Sequence, residues 1–386
     1  MTTPLITPVH RFAQLDSVRA LAALMVVATH VCFWSGMYGR GTWGVMSQRL
    51  EVGVAIFFVL SGFLLSRPYL LRARHGTTTD PIRIYALKRA GRILPVYLLT
   101  VVAAFALLRE NRELGWDRLL LNLTLTDFFA HPQLPAGLTQ MWSLSVEASF
   151  YLVLPFVGVL VLARFWKPTA LIIGLVASGL LGLVYLAITT HDGGLAIRWL
   201  PSYLLWFTLG IVLAVMQVDG GSTRLVRQLR RWACDRTACW LLALGLFVII
   251  STPLGGSPAL IALTPDEAIL RHLFYGAIAV LFVAPCVFVT NDVAARVLSQ
   301  RWLRHLGATS YALFCCHMLV LELVVRLTSF ELFRAPLVPL FLLILGISLA
   351  LAEALYRFVE KPVIDAVHRR AKAARATAPS ATAAST

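Results

Sequence analysis

The chain has 386 residues, of which 59% are hydrophobic and only 14% are charged, and its mean hydropathy is +0.77. A soluble domain cannot cover so much apolar surface, so this composition indicates a protein that crosses the membrane several times. The formal charge of +15 does not indicate nucleic-acid binding, because about 25 of the 34 Lys and Arg residues fall in alternate, inner segments, which is the positive-inside pattern.

Long apolar runs must be helices in lipid, because each segment has to satisfy its own backbone hydrogen bonds. We therefore predict an all-α polytopic membrane protein, a bundle of about ten transmembrane helices around a central cavity. The spans are predicted near residues 17–36, 50–67, 92–109, 142–163, 169–190, 198–217, 239–254, 268–290, 305–327 and 336–357.

The charge pattern places both termini in the cytoplasm and the protein in the cell (inner) membrane. Residues 1–14 are predicted as a cytoplasmic N-terminal segment, 15–365 as the transmembrane domain and 366–386 as a disordered cytoplasmic tail rich in Ala, Ser and Thr. The six cysteines show no metal-ligand spacing, so neither a metal site nor a disulfide framework is expected.

The first span carries two ionisable residues, Arg19 and His30, eleven positions apart. Eleven steps of 100° are three turns plus about 20°, so both side chains share one helix face, roughly 16 Å apart along the axis. Ionisable groups inside a span normally face a bundle interior or a wet cavity and indicate a functional site. The alternative is that Arg19 snorkels to the surface and His30 is a packing residue.

The second and third spans add small and basic residues. Gly53 and Gly62 of the second span predict close helix packing, with Ser61 beside them as a possible cavity-lining residue. Arg89 and Arg92, three positions apart, are neighbours on one surface of the third helix. They are either interfacial anchors or a phosphate clamp, a role that guanidinium groups suit.

The fourth span begins with QMWSLSVEASFY, in which Ser143 and Glu147 share a helix face. Glu147 is about 8 Å and His30 roughly 9 Å below the outer surface, in helices that run in opposite directions. This matching depth predicts that Glu147 orients His30 and supports its protonated form. A cap or a pairing with an outer arginine is the alternative.

Two later segments contain polar residues. The ninth span carries Tyr311 and His317, which are predicted as packing residues that could also line the cavity. At the end of the tenth span, Glu360, Lys361 and Pro362 predict a helix terminator rather than a chemical site.

The ordered segments LDSVRALAALMVVATH, VGVAIFFVLSGFLL, KRAGRILPVYLL, WSLSVEASFYLVLP, LGATSYALFCCH and YRFVEKP resemble the acyltransferase-3 family of integral membrane acyltransferases from about residue 15 to 363. The family's Arg-ten-residues-His signature falls on Arg19 and His30, its paired basic motif on Arg89 and Arg92, and its WSLxxE motif on Trp142–Glu147. Cys316 departs from the Trp that often precedes the ninth-span His. The resemblance is to the stand-alone membrane form, without an SGNH-type domain.

The resemblance implies an O-acyltransferase that takes an acyl group, acetyl or another short one, from cytoplasmic acyl-CoA. The acceptor would be a hydroxyl of a carbohydrate, glycolipid or glycosylated metabolite. Acyl-CoA is then a co-substrate, and no bound cofactor and no nucleic-acid partner are expected. In this interpretation Arg89, Arg92 and Arg19 hold the CoA phosphates.

Within that interpretation His30 is the general base, with Arg19 and Glu147 as further catalytic residues. Ser143 or Trp142 supports the oxyanion or the acceptor. A covalent acyl-imidazole on His30 is an alternative route.

Two points stay open from the sequence. Residues 110–141, with Asp117, Asp127, His131 and Pro132, form the outer segment large enough to be an acceptor-facing lid. A proton-coupled multi-pass transporter could use the Arg19, His30 and Glu147 stripe instead, although no pair of broken helices marks an inverted repeat. A membrane sensor or scaffold is a third class of function.

Overall fold

The computed structural model describes residues 12–256, 263–328 and 330–376, and this part of the chain is built from α-helices with short 3-10 and π turns. The α-helices are α1 (Ala13–Trp34), α2 (Gly41–Gln48), α3 (Val52–His75), α4 (Ile82–Leu107), α5 (Arg109–Arg112), α6 (Gly115–Leu123), α7 (Asp127–Ala130), α8 (Trp142–Val157), α9 (Pro168–Asp192), α10 (Leu200–Asp219), α11 (Arg224–Ala233), α12 (Arg236–Ile250), α13 (Pro265–Phe288), α14 (Val293–Leu298), α15 (Arg301–Leu327), α16 (Leu337–Leu355) and α17 (Lys361–Ala376). The predicted all-α polytopic membrane fold is confirmed.

Within the described ranges, nine helical segments are long and apolar enough to cross a membrane, and a tenth is formed if α11 and α12 count as one bent span. The predicted seventh span is the one that differs. Helix α12 has only 15 residues and meets α11 at a bend of 76°. The carboxylate of Asp235 caps the first turn of α12 by accepting from the amide of Ala238 at 2.9 Å, so a new helix starts there.

The C-terminal region differs from the prediction in two ways. The YRFVEKP segment does not end the helix: α16 passes through a π turn at Tyr356–Glu360 into α17. Pro362 follows directly after this π turn, so it lies inside a continuous helical stretch, and the irregular hydrogen bonding of the turn accommodates the missing proline N–H. Residues 366–376 are therefore helical rather than disordered, and 377–386 lie outside the described residues, as do 1–11 of the predicted N-terminal segment.

Helices α1, α3, α10 and α15 form the centre of the bundle, with α1 between α3 and α15, and α3 between α1 and α10. Glycines permit the close approach of these helices. A Cβ atom on Gly53 would lie 2.6 Å from the carbonyl oxygen of Ala22, and one on Gly62 or Gly210 would collide with backbone of the facing helix. The predicted packing role of Gly53 and Gly62 is confirmed.

The segment between α4 and α8 folds into short helices that are tied to the bundle. Asp127, which is 1% exposed, accepts two hydrogen bonds from Arg118, at 2.7 and 3.0 Å, and contacts Nδ1 of His131 at 2.8 Å. The hydroxyl of Tyr97 on α4 donates to the carbonyl of Asn122. Asp127 and His131 thus hold the shape of the segment that the sequence predicts as a lid.

Candidate active site

A cavity of about 330 Å³ lies inside the bundle, between helices α1, α3, α4, α8 and α15. Seven of the predicted site residues line it: Arg19, Ser61, Arg89, Arg92, Ser143, Glu147 and Tyr311. They come from five different helices, so the fold brings together groups that are far apart in the sequence.

Helix α8 supplies one wall of this cavity. Its residues Ser143, Glu147 and Tyr151 lie four positions apart, so they stand on one face, and all three line the cavity. The hydroxyl of Ser61 on α3 donates to the Glu147 carboxylate, and Tyr151 makes a second hydrogen bond to it. The carboxylate is therefore held in place by two hydroxyl groups.

Three guanidinium groups gather at one end of the cavity. Arg92 forms an ion pair with Glu360, which is fully buried, and Arg19 lies 3.6 Å from Asp16. Arg89 lies over the ring of Tyr151 at 6.0 Å, and its buried Nε has no hydrogen-bond partner in the described part of the chain. Each of the three guanidinium groups therefore keeps N–H donors without a hydrogen-bond partner in the described part of the chain.

A second chamber of about 260 Å³ adjoins the first, and the two share Leu65 and Arg89 in their walls. Its other polar groups include Lys88, which pairs with Asp80 at 2.6 Å, and the buried hydroxyl of Tyr85, which lacks a partner among the described residues. The two chambers meet at Arg89.

His30 and His317 form a contacting pair. Nε2 of His317 lies 3.2 Å from Nδ1 of His30, and the ring centroids are 5.2 Å apart. Nδ1 of His30 also lies 2.8 Å from the carbonyl oxygen of Val26, and Nδ1 of His317 lies 2.8 Å from that of Phe314. A carbonyl oxygen only accepts, so both Nδ1 atoms carry the proton. His317 Nε2 therefore accepts from His30, and Nε2 of His30 is left as the basic atom.

The partner of His30 is not the one predicted from helix depth. His317 and the Val26 carbonyl contact His30, whereas Glu147 is bonded to Ser61 and Tyr151. Equal depth in the membrane does not show which way two side chains point around their helix axes. The rotation of α8 about its axis directs Glu147 into the cavity. His317, predicted mainly as a packing residue, is the group that contacts His30.

His30 and His317 are not in the wall of the 330 Å³ cavity, so the predicted single passage from Arg19 to His30 is not open in this structure. Phe57 and Phe314 line the cavity, and the Phe314 ring contacts that of His317 at a centroid distance of 6.0 Å. Between Arg19 and His30, α3 packs against α1 where Gly53 approaches Ala22, which closes the groove on that helix face.

Trp142 also lies elsewhere than expected. It belongs to a separate surface groove of about 420 Å³, which its neighbours Phe128, Thr139 and Arg198 also line. The next residue, Ser143, faces the 330 Å³ cavity and donates to the carbonyl of Gln140 at 3.3 Å. Consecutive residues of α8 therefore face the groove and the cavity.

The structure adds two residues to the site that the sequence did not single out. Tyr151 continues the Ser143 and Glu147 series by one more step of four, a spacing that could have indicated it. Glu360 was assigned to a helix end, yet its side chain reaches Arg92 in the cavity wall. The π turn at Tyr356–Glu360, a feature common at functional sites, is the signal for Glu360, and it is visible only in the structure.

Comparison with known proteins gives one family model, described as an acyltransferase domain, that matches residues 12–357. The chain is similar to the exopolysaccharide production protein ExoZ of Rhizobium meliloti (28% identity, covering 84% of this chain and 92% of the relative). It is also similar to the putative peptidoglycan O-acetyltransferase YrhL of Bacillus subtilis (27%; 92% and 55%) and to the peptidoglycan O-acetyltransferase OatA of Listeria monocytogenes (23%; 90% and 55%). The chain thus spans about half the length of those last two relatives. No solved structure matches it.

Proposed function

Because the chain belongs to the acyltransferase family whose model covers residues 12–357, we propose that it is a membrane O-acyltransferase. In this proposal it moves a short acyl group, such as acetyl, from cytoplasmic acyl-CoA to a hydroxyl of a carbohydrate or glycoconjugate. The observation that carries the proposal is the cavity with three arginines at one end, beyond which the His30–His317 pair leaves one basic imidazole nitrogen. The relatives named as O-acetyltransferases of peptidoglycan support an O-linked carbohydrate product.

The donor would bind from the end of the bundle that carries the arginines, with both chain termini on that cytoplasmic side. Arg89 stands where the two chambers meet, so its guanidinium group can donate to a phosphate oxygen of the nucleotide end. Arg19 and Arg92 add positive charge beside it. The thioester arm then extends along the α8 wall, past Tyr151 and Glu147, towards Ser143.

His30 is proposed as the general base. Its Nε2 takes the proton of the acceptor hydroxyl while that oxygen forms a bond to the thioester carbonyl carbon. When the tetrahedral intermediate collapses, the C–S bond breaks, the sulfur keeps the electron pair, and Nε2 returns the proton to the thiolate. Throughout, the single N–H at Nδ1 donates to the Val26 carbonyl at 2.8 Å, with Nε2 of His317 at 3.2 Å as a weaker, shared acceptor, and this stabilises the imidazolium. The other route, an acyl-imidazole on His30, is distinguished by rapid quench with labelled donor: label on the protein in a single turnover supports it.

The path to His30 requires movement of Phe57 and Phe314, whose rings contact each other at a centroid distance of 6.1 Å. Rotation of the Phe314 side chain would open the cavity wall on the side of the histidine pair, because its ring contacts that of His317. This partition would keep water from the thioester until the donor arm is in place.

The test of the proposal uses purified full-length protein in nanodiscs with radiolabelled acetyl-CoA. We expect acetyl-CoA and CoA to raise the thermal unfolding midpoint, because a ligand that binds only the folded state stabilises it. We also expect transfer of label to membrane carbohydrates or to an added oligosaccharide. Stabilisation by a solute or by a pH gradient, with none by CoA, would instead favour a transporter.

Arg89→Gln is expected to raise the KM for acetyl-CoA by about tenfold to a hundredfold, since a charge-assisted hydrogen bond to phosphate contributes roughly 1.5–3 kcal/mol. Arg89→Lys retains the charge but not the guanidinium donors, so its KM for acetyl-CoA should lie between those of the wild type and Arg89→Gln. The matched control is Arg83→Gln, because Arg83 is exposed and lies six residues before Arg89 on the same helix, α4. An unchanged KM in Arg89→Gln would exclude it from the donor site.

Glu360→Gln should lower the KM for acetyl-CoA two- to fivefold if the Glu360 carboxylate competes with donor phosphates for Arg92, a difference of about 1 kcal/mol or less. Gln can still accept a hydrogen bond from Arg92, so the position of the guanidinium is kept. The matched control is Glu353→Gln, about two helix turns earlier, whose carboxylate pairs with His305 and Arg357 outside the cavity. A higher KM in Glu360→Gln would mean that Glu360 helps to build the donor site.

A further inference from the structure

The groove of about 420 Å³ lies at the end of α8 opposite the arginine cluster. Trp142, at the start of α8, lines the groove, and Tyr151, nine residues later and roughly 13 Å further along the axis, contacts Arg89. If the donor enters at Arg89, the groove is the place from which a second substrate reaches Ser143. The direction in which the second substrate enters rests on the proposed function, whereas the chemistry of the groove follows from its own residues.

Trp142 offers an aromatic surface in this groove. Its ring contacts Phe128 at a centroid distance of 6.0 Å and Tyr203 at 5.3 Å, which fixes its orientation. No described residue accepts a hydrogen bond from its indole N–H. An aromatic face fixed by its neighbours, with one free donor at its edge, suits the mixed apolar and hydroxylated faces of a sugar ring.

Arg198 supplies charge to the same groove. Nη1 donates to the carbonyls of Phe128 and His131, at 3.2 and 2.7 Å, and Nη2 donates to that of Pro132 at 2.5 Å. A guanidinium has five N–H bonds, so the Nε–H and one Nη2–H have no partner in the described part of the chain. Nε and Nη2 lie on one edge of the guanidinium, which is the edge that can bind a carboxylate with two parallel hydrogen bonds.

No carboxylate of the described residues pairs with Arg198, whose guanidinium lies over the Phe128 ring at 4.9 Å from the centroid. The residues that line the groove are Phe128, Pro132, Gln133, Leu134, Thr139, Trp142 and Arg198, and none of them is acidic. The neighbouring carboxylate of Asp127 is already paired with Arg118 and His131. The groove therefore carries a net positive charge with an open bidentate donor beside an aromatic ring.

From this arrangement we propose that the groove binds an acidic carbohydrate. One sugar ring stacks on Trp142, and its carboxylate, or another planar anionic substituent, is held by the Nε and Nη2 edge of Arg198. A hydroxyl of the same or the next sugar then points towards Ser143 and the cavity. The acceptor of the proposed transfer is thus a sugar polymer or glycoconjugate with an anionic substituent close to the acylated hydroxyl.

The experiment measures binding without any acyl donor, so that it does not depend on the proposed transfer. Methyl β-D-glucuronide and methyl β-D-glucoside are titrated into full-length protein in nanodiscs and followed by saturation-transfer NMR. We expect the glucuronide to bind about tenfold more tightly than the glucoside, and the difference to shrink in 0.5 M NaCl. Equal affinities would overturn the proposal, whereas acyl transfer to neutral sugars alone would leave the proposed function intact.

Variants locate the binding. Arg198→Lys keeps the positive charge and can still donate to loop carbonyls, but it lacks the planar fork, so we expect the preference for glucuronide to fall to about twofold or less. Arg198→Gln should abolish the preference, and Trp142→Ala should weaken both ligands. Trp116→Ala is the control, because Trp116 is 80% exposed on α6 and does not line the groove. A full preference in Arg198→Lys and Arg198→Gln would show that the anion binds elsewhere; loss of affinity in Trp116→Ala would also contradict the assignment.

Discussion

His30→Ala is expected to lower the rate of acyl transfer by at least about 100-fold, while expression and membrane insertion stay at the wild-type level. Removing a positioned general base costs about 10²- to 10⁴-fold in rate. Of the two histidines in the contacting pair, His30 is the one whose Nε2 has no partner among the described residues, since its Nδ1 is occupied by Val26 and His317. The measurement is single-turnover transfer of labelled acetyl from acetyl-CoA in nanodiscs.

His317 is expected to support His30 through the contact at Nδ1. Glutamine at 317 can still accept from Nδ1 of His30 through its amide oxygen, so His317→Gln should keep much more activity than His317→Leu. His305→Gln is the matched control, because His305 lies on the same helix, α15, but outside the cavity. Its Nε2 contacts the Glu353 carboxylate at 2.7 Å. Wild-type activity in folded His30→Ala protein would refute the assignment of the base.

Gly210→Val is expected to lower the free energy of unfolding by about 3 kcal/mol or more, at the upper end of what overpacking in a core costs. A Cβ on Gly210 would collide with the carbonyl oxygen of Val59 and lie 2.8 Å from the amide nitrogen of Phe63. Both are backbone atoms of α3 and cannot rotate away as a side chain can. The helices α3 and α10 would have to separate along their whole contact.

The control for this prediction is Gly174→Val, since a Cβ on Gly174 of α9 has no heavy atom within 4 Å. The free energy of unfolding is measured by SDS titration followed by far-UV circular dichroism. It should fall strongly for Gly210→Val and by less than about 1 kcal/mol for Gly174→Val. Similar shifts in the two variants would mean that the effect comes from helix propensity or lipid contact and not from the α3–α10 crossing.

The helical, membrane-spanning nature of the protein could be predicted because it depends on local properties. Hydropathy and length define a span whatever its neighbours are, and the nine or ten segments follow the predicted ones closely. The predictions failed where a local signal had two meanings. Pro362 indicated a helix end, but a proline can also lie inside a helix that a π turn distorts locally, and α16 continues into α17 in this way.

The membership of the cavity was also largely predictable. Arg19 and Glu147 were chosen because ionisable groups inside a span normally face the bundle interior, and Arg89 and Arg92 because paired guanidinium groups suit phosphates. All four line the cavity with Ser61, Ser143 and Tyr311, whereas the predicted residues His30, His317 and Trp142 do not. Periodicity along one helix gives this direction without knowledge of the partner helix.

Pairings between helices were decided only by the tertiary structure. Which group contacts His30 depends on the rotation and offset of α1, α8 and α15, and these are set by packing, such as the contact of Gly53 with Ala22. The same holds for Glu360 beside Arg92 and for Trp142 beside Arg198, which are 268 and 56 positions apart in the chain. Sequence by itself determined which residues turn inward, since that depends on one helix; which of them meet depends on at least two helices, and only the packed bundle decides it.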